Sequence, residues 1–307
     1  MDRSPALIRR LQRQETLNFW LTNRIPRRLL TRLMGRFSRI RSAWLTRWSI
    51  RVWQRFADDL RLDEAETSGF ESLQACFTRR LKPGARPICT EPHILTSPCD
   101  AVVGANGRIR GGTLLQAKGM VYRLDELVGD PERVAAHRDG TYVTLRLKSS
   151  MYHRFHAPCA GRIRHLDYVA GEVFNVNPPA LQRIHRLFCR NERAVVPIEV
   201  AAREHPGPVT LVPIAAVLVA SMRFGFLDEA LHLDYSGPNR IACDARFERG
   251  DELGWFEHGS TIVLLAGAGL RLADGLAPGG IVRMGRPLLV PTRARRPDAG
   301  PAQSAAA

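Results

Sequence analysis

The triplet Gly259, Ser260, Thr261 stands directly before the apolar run Ile262–Ala266. A serine hydroxyl can attack the carbonyl of the residue before it, leaving an ester where the amide was. Glycine at that carbonyl has no side chain to obstruct attack and tolerates strained dihedrals. The hydroxyl needs a base. The ester can then undergo β-elimination, leaving dehydroalanine at a new N-terminus, and addition of water with loss of ammonia converts this to a pyruvoyl group. On base rates such a triplet is more often only a turn before a strand. Two other clusters give the chemical reading its weight. Tyr152-His153-Arg154-Phe155-His156-Ala157-Pro158 holds two histidines three apart. A metal site would need a regular helix and a third ligand; Pro158 and the β-rich surroundings argue against the first and no residue supplies the second, so acid–base work is the better reading. Ser97-Pro98-Cys99-Asp100-Ala101 adds a carboxylate that, buried beside His156, would orient the imidazole and favour its charged form. Taken singly, each of these residues is an ordinary turn or core residue. Together Asp100, His156 and Ser260 can serve as orienter, base and nucleophile.

The elements around these clusters are mainly strands. From about residue 96 short β-rich runs alternate with glycine and proline turns: Thr141–Leu147, Gly161–Val169, Val195–Val200, Val209–Val219 and Thr261–Ala266. Leu124–Leu127 and Pro178–Leu187 read as short helices. The expected fold is α+β: an N-terminal amphipathic helical region followed by a β-rich sandwich or barrel-like core, not a parallel α/β sheet. Expected boundaries are 1–95 for the helical, basic region, 96–290 for the catalytic core and 291–307 for a disordered, Pro/Ala/Arg-rich tail.

Across residues 27–58, Leu30, Leu33, Phe37, Ile40, Trp44, Trp48, Val52 and Phe56 recur at three- and four-residue steps, with arginines filling much of the remainder. Pro26 suits a helix start and Gly35 a bend. Most of the net charge of +15 lies here: residues 1–55 contain fourteen arginines against Asp2 and Glu15. Tryptophan and arginine together favour a lipid headgroup layer over an ordinary core-packed helix. Nucleic acid is the rival anionic partner, but no helix-turn-helix, zinc finger or RNA-binding aromatic signature accompanies the arginines. The longest uncharged stretch, Gly207–Met222, is too short and proline-broken to span a bilayer. No secretory signal is evident, no two of the six cysteines have zinc or redox spacing, and no phosphate-binding glycine loop occurs.

The order and spacing of these segments resemble the bacterial phosphatidylserine decarboxylase proenzymes. Gly254 to Thr261 resembles that family's Gly-x-Phe-x-x-Gly-Ser-Thr cleavage motif, Tyr152 to Pro158 its Tyr-His-Arg-x-His-x-Pro motif, and Pro98 to Ala101 its Pro-Ala-Asp-Gly. Leu115–Gly119, Gly171–Asn177, Phe188–Arg193 and Met284–Leu288 resemble further stretches, so the likeness runs from about Arg24 to Leu289. It implies cleavage between Gly259 and Ser260 into a large β chain, 1–259, and a short α chain, 260–307, that stay associated. Ser260 would be nucleophile and pyruvoyl precursor, His156 its base, Asp100 the orienter of His156, and His153 an aid to decarboxylation. The covalent pyruvoyl would form a Schiff base with phosphatidylserine and release CO₂ to give phosphatidylethanolamine, with no metal and no pyridoxal phosphate. The implied setting is peripheral, on the cytoplasmic face of the membrane, with an anionic surface as partner, no nucleic acid, and a homodimer left open. The sequence departs from the family pattern at His258, Cys99, Ala101, Ser149 and Met151; none of these removes a proposed catalytic group. Three rivals predict different behaviour: a serine hydrolase stays uncut, a non-enzymatic membrane-binding module leaves the three clusters unexplained, and a pyruvoyl decarboxylase of another amino-acid-headgroup lipid shares the cleavage but not the substrate.

Overall fold

A computed structural model describes residues 26–55, 57, 59–115, 120–201, 204, 207–217, 221–257 and 260–292. Residues 1–25, Phe56, Gln116–Gly119, Val219, His258, Gly259 and the tail beyond 292, on which parts of the sequence reading fall, lie outside this set.

The chain mixes helix and strand around a β-rich core. Its main sheet has eight strands in the order 240–247, 161–169, 193–200, 209–214, 261–266, 141–146, 101–108 and 281–282, every neighbour antiparallel. Thr261–Ala266 lies in the middle, and all six of its residues are buried. Covered on both faces, it reads as an unbroken apolar run instead of an alternating one. A second sheet orders 231–232, 221–224, 252–256 and 154–156, again antiparallel. This sheet carries the His156 strand against the segment that leads to Ser260. Three short strands, 95–96, 287–291 and 270–272, form a third sheet, and 113–115 pairs with 121–123.

Gly254 shows why one glycine of the cleavage motif is needed. A Cβ there would sit 2.0 Å from the Arg223 carbonyl oxygen of the neighbouring strand, and the ladder to Arg154–His156 bulges between Glu252 and Gly254.

The basic N-terminal helix is two helices, α1 (Arg27–Ser38) and α2 (Ala43–Gln54). The break falls after Ser38, and Gly35, the expected bend, is an ordinary helical residue. Ser42 supplies the reason, since its hydroxyl accepts from the Leu45 amide and caps α2 at its N-terminus. The helix expected over Pro178–Leu187 also divides, into Pro178–Arg183 and Leu187–Arg190, with Arg186 at φ 54° between them. The run expected over Val209–Val219 is a strand only to Ile214.

Candidate active site

Ser260 sits at the head of the central strand. Its carbonyl accepts from the Leu147 amide at 2.9 Å, and the next residue, Thr261, pairs with both Arg146 and Ile214. The serine is fully buried, and its Oγ has no hydrogen-bond partner among the described residues. A buried hydroxyl without a partner is uncommon, because the lost hydration is not repaid. The Tyr122, Ser221 and Thr261 hydroxyls share this state among the described residues, so it is the place of Ser260 directly after Gly259 that suits its hydroxyl to attack the preceding carbonyl.

His156 is buried and held at both ring nitrogens. Nδ1 lies 2.8 Å from the Gly250 carbonyl oxygen and Nε2 lies 2.9 Å from the Tyr152 hydroxyl. Burial pushes its pKa below the ordinary imidazole value, opposed by the Gly250 carbonyl and the charges of Glu252 and Asp100. Gly250 has φ 89°, in a turn where the Glu248 amide donates to the Asp251 carboxylate, and a Cβ there would meet Ile88 at 2.9 Å. A glycine is what this turn can accept while aiming its carbonyl at His156.

The sequence reading had Asp100 orienting His156. The structure places it close, since the His156 amide donates to the Pro98 carbonyl at 2.7 Å, but its carboxyl is otherwise engaged. Arg86 donates to both its oxygens (2.8 and 2.6 Å), Arg283 to one (3.0 Å) and the Met284 amide to the other (2.9 Å). Two guanidinium groups and an amide outcompete one imidazole for a buried carboxylate. The ring nitrogens of His156 are taken by Gly250 and Tyr152, and the charge of Asp100 only adds to that of Glu252 in raising the imidazole against burial.

His153 is also fully buried. Its Nδ1 donates to the Met151 carbonyl at 2.7 Å, and Phe77 lies against the ring at 4.1 Å between centroids. Phe77 stacks in turn on Trp53 of α2, at 5.4 Å and 5°. A column of three rings thus joins the N-terminal helices to His153.

A cleft of about 810 Å³ opens between α1 and the strand Ser221–Phe224, with Arg36, Arg39, Arg223, Ser221 and Glu257 on its walls. Glu257 is nearly buried and takes an ion pair from Arg39 at 2.8 Å and a longer one from Arg223 at 3.5 Å. Ser260 follows Glu257 by three positions, so their Cα atoms are at most about 11 Å apart.

The two helices carry their amphipathicity inside out. Their buried positions are Thr31, Ser38, Thr46, Ser49 and Ile50, whereas Leu29, Leu33, Phe37, Ile40, Trp44 and Trp48 are exposed. No helix among the described residues is long and apolar enough to cross a membrane.

The family model described as phosphatidylserine decarboxylase matches residues 73–290, which include Asp100, Tyr152, His153, His156, Gly250 and Ser260. The chain belongs to the phosphatidylserine decarboxylase family. A second model, described as PSD, matches residues 17–54, the basic helical region. Among curated relatives, the phosphatidylserine decarboxylase proenzyme of Halorhodospira halophila is 41% identical over 91% of this chain and 94% of its own. Those of Methylococcus capsulatus and Vibrio cholerae are 36% and 34% identical, over 85% and 88% of this chain and 92% and 96% of their own. Family membership makes the chain a carboxy-lyase proenzyme. Sequence reasoning missed Tyr152, Gly250, Arg86, Arg283 and Phe77. Tyr152 sat inside a quoted motif and could have been found there. Gly250 was visible only as a glycine in a Glu-Arg-Gly-Asp turn, and the arginines and Phe77 arrive from distant segments with no local signal.

Proposed function

We propose that the chain cuts itself between Gly259 and Ser260, converts Ser260 to a pyruvoyl group, and decarboxylates phosphatidylserine to phosphatidylethanolamine. The observation that carries this reading is the buried Ser260 hydroxyl, directly after Gly259 at the head of the central strand. In self-cleavage His156 takes the Ser260 proton, and Asp100 contributes a fixed negative field beside the imidazole. His153, held by Met151 on one nitrogen, is suited to return a proton to the product carbon. The pyruvoyl carbonyl supplies the electron sink that an α-amino carboxylate needs in order to lose CO₂.

After cleavage the short chain would begin with the central strand, paired on both sides by strands of the long chain. Arg283 of the short chain also reaches Asp59 and Asp100 of the long one. Both features favour two chains that stay together.

The inside-out helices favour a peripheral seat on an anionic bilayer, with the apolar row in the interface and arginines at the phosphates. The cleft between α1 and Arg223 then lies where a headgroup leaving that surface would approach Ser260. Its mixed charges suit a headgroup bearing phosphate, carboxylate and ammonium.

Intact-mass analysis of the purified chain beside Ser260→Ala tests the reading. Two fragments meeting at Gly259–Ser260 are expected, the smaller lighter than its hydrolytic counterpart by the elements of ammonia, with a single full-length mass for the variant. Conversion of phosphatidylserine vesicles then tests the substrate. An uncut wild-type chain in membrane-mimetic buffer across several pH values would remove the proposal.

A further inference from the structure

We infer that Tyr152 is a positioning residue for self-cleavage: its hydroxyl holds His156 in the neutral tautomer whose Nε2 is the basic nitrogen. This rests on the reading of His156 as the cleavage base.

The argument begins at Gly250. A backbone carbonyl can only accept, so the 2.8 Å contact at Nδ1 requires a proton on Nδ1. In a neutral imidazole the other nitrogen then carries a lone pair. The Tyr152 hydroxyl, 2.9 Å from Nε2, can donate to that lone pair. The two contacts select one tautomer and fix the ring plane, and Tyr152 packs alongside with its centroid 5.7 Å from the imidazole. Both residues are buried, so water does not compete for either nitrogen.

The tautomer matters for the reaction. The Ser260 Oγ–H proton must pass to a bare nitrogen as Oγ bonds to the Gly259 carbonyl carbon. The Gly259 C–N bond then breaks, and the Ser260 nitrogen takes the proton back from the imidazolium. With Nδ1 tied to Gly250, only Nε2 can do this. Tyr152 keeps Nε2 unprotonated, and the serine must displace the tyrosine hydroxyl to reach it.

The charges acting on His156 are Glu252 on the adjoining strand, Arg154 on its own, and Asp100, whose carboxyl Arg86 and Arg283 hold. Glu252 and Asp100 favour the imidazolium and Arg154 opposes it. The Tyr152 hydroxyl donates only to the neutral ring, so it pulls against the two carboxylates. Burial acts in the same direction as the tyrosine.

The test uses Tyr152→Phe in the full chain. Removing the donor destabilises neutral His156 by about one hydrogen bond, so the acid limb of the cleavage-rate profile should move up by roughly half to one pH unit. The ¹⁵N-histidine titration of His156 in the uncut Ser260→Ala chain should move with it. A rate that falls equally at every pH, with an unmoved His156 midpoint, would make the hydroxyl merely structural and overturn the inference. If Tyr152→Phe does not fold, the Ser260→Ala chain alone decides: a neutral His156 protonated on Nε2 instead of Nδ1 sinks it. A separate His156→Ala chain that cleaves at the wild-type rate would instead refute the base assignment on which the inference stands.

Discussion

The Asp100 carboxyl accepts four hydrogen bonds inside the protein, from Arg86, Arg283 and the Met284 amide, and is sealed from solvent. Arg86 also pairs with Glu64, and Arg283 with Asp59, so one side chain ties together three distant parts of the chain. Its neighbours hold Arg86 firmly in the protonated form. Removing one charge from a buried pair leaves the other without compensation, which is where large losses arise. Asp100→Asn keeps the shape and removes the charge. In the uncut Ser260→Ala background it is expected to lower unfolding stability by about 3 kcal/mol, measured by urea denaturation. With Ser260 intact it should also slow cleavage, because the field on His156 is lost. A variant that slowed cleavage with unchanged stability would show that the arginine cage holds without its anion, and that Asp100 acts on the chemistry alone.

At the scale of elements, α1 docks largely by polar contacts, and α2 adds Ile50 and the Trp53–Phe77 stack. Arg27 reaches Glu172, Arg32 reaches Asp234 and Arg39 reaches Glu257, while Thr31, Ser38, Thr46 and Ser49 face inward. Leu29, Leu33, Phe37, Ile40, Trp44 and Trp48 are left outside, Trp44 with 71% of its surface exposed. Since these residues support no core, replacing them tests membrane seating without unfolding the protein. Trp44→Gln with Trp48→Gln is expected to weaken adsorption to phosphatidylserine-containing vesicles at least tenfold, since burying each large apolar side chain is worth about 1.5–3 kcal/mol. Self-cleavage should be unchanged, and vesicle flotation at undiminished strength would refute the anchoring model. The apolar period of these helices was legible because helix geometry imposes it. Its outward direction was expected from tryptophan and arginine together; what the stripe alone does not show is that Thr31, Ser38, Thr46 and Ser49 fill the opposite, buried face. The break between the helices was missed for a related reason, since Ser42 is recognisable as a cap only once the chain before it is known to leave helical dihedrals.

On the scale of the whole molecule, the strands 161–169 and 261–266 could be read from composition, but their order could not. Which strands flank Ser260 depends on long-range pairing, and Thr141–Arg146 and Val209–Ile214 carry no mark of it. The same topology buries ionisable groups that the chemistry does not use. Burial raises Glu192 to about 7, with the Tyr168 hydroxyl donating to it at 3.1 Å and Arg28 only partly offsetting the cost of charge. Burial lowers His137, beside Thr210, to about 4. Their effects on stability have opposite signs. For Glu192 the folded pKa lies above the unfolded one, so stability is full below about 4.5 and is lost as pH rises to about 7. For His137 the folded pKa lies below the unfolded one, so stability is full above 6.5 and is lost as pH falls to about 4. Between those limits the two slopes cancel in part, which flattens the stability profile across mildly acidic pH. Glu192→Gln keeps an acceptor for Tyr168 and removes the titration. In the uncut Ser260→Ala chain this variant should match its parent near pH 4 and exceed it at pH 8 by up to about 3 kcal/mol, read from urea midpoints. The His137 slope would then stand alone, with stability climbing from pH 4 to 6.5. A Glu192→Gln difference that is the same at every pH would mean that the carboxyl ionises as freely in the folded chain as in the unfolded one, and that the Tyr168 bond and Arg28 together offset its burial.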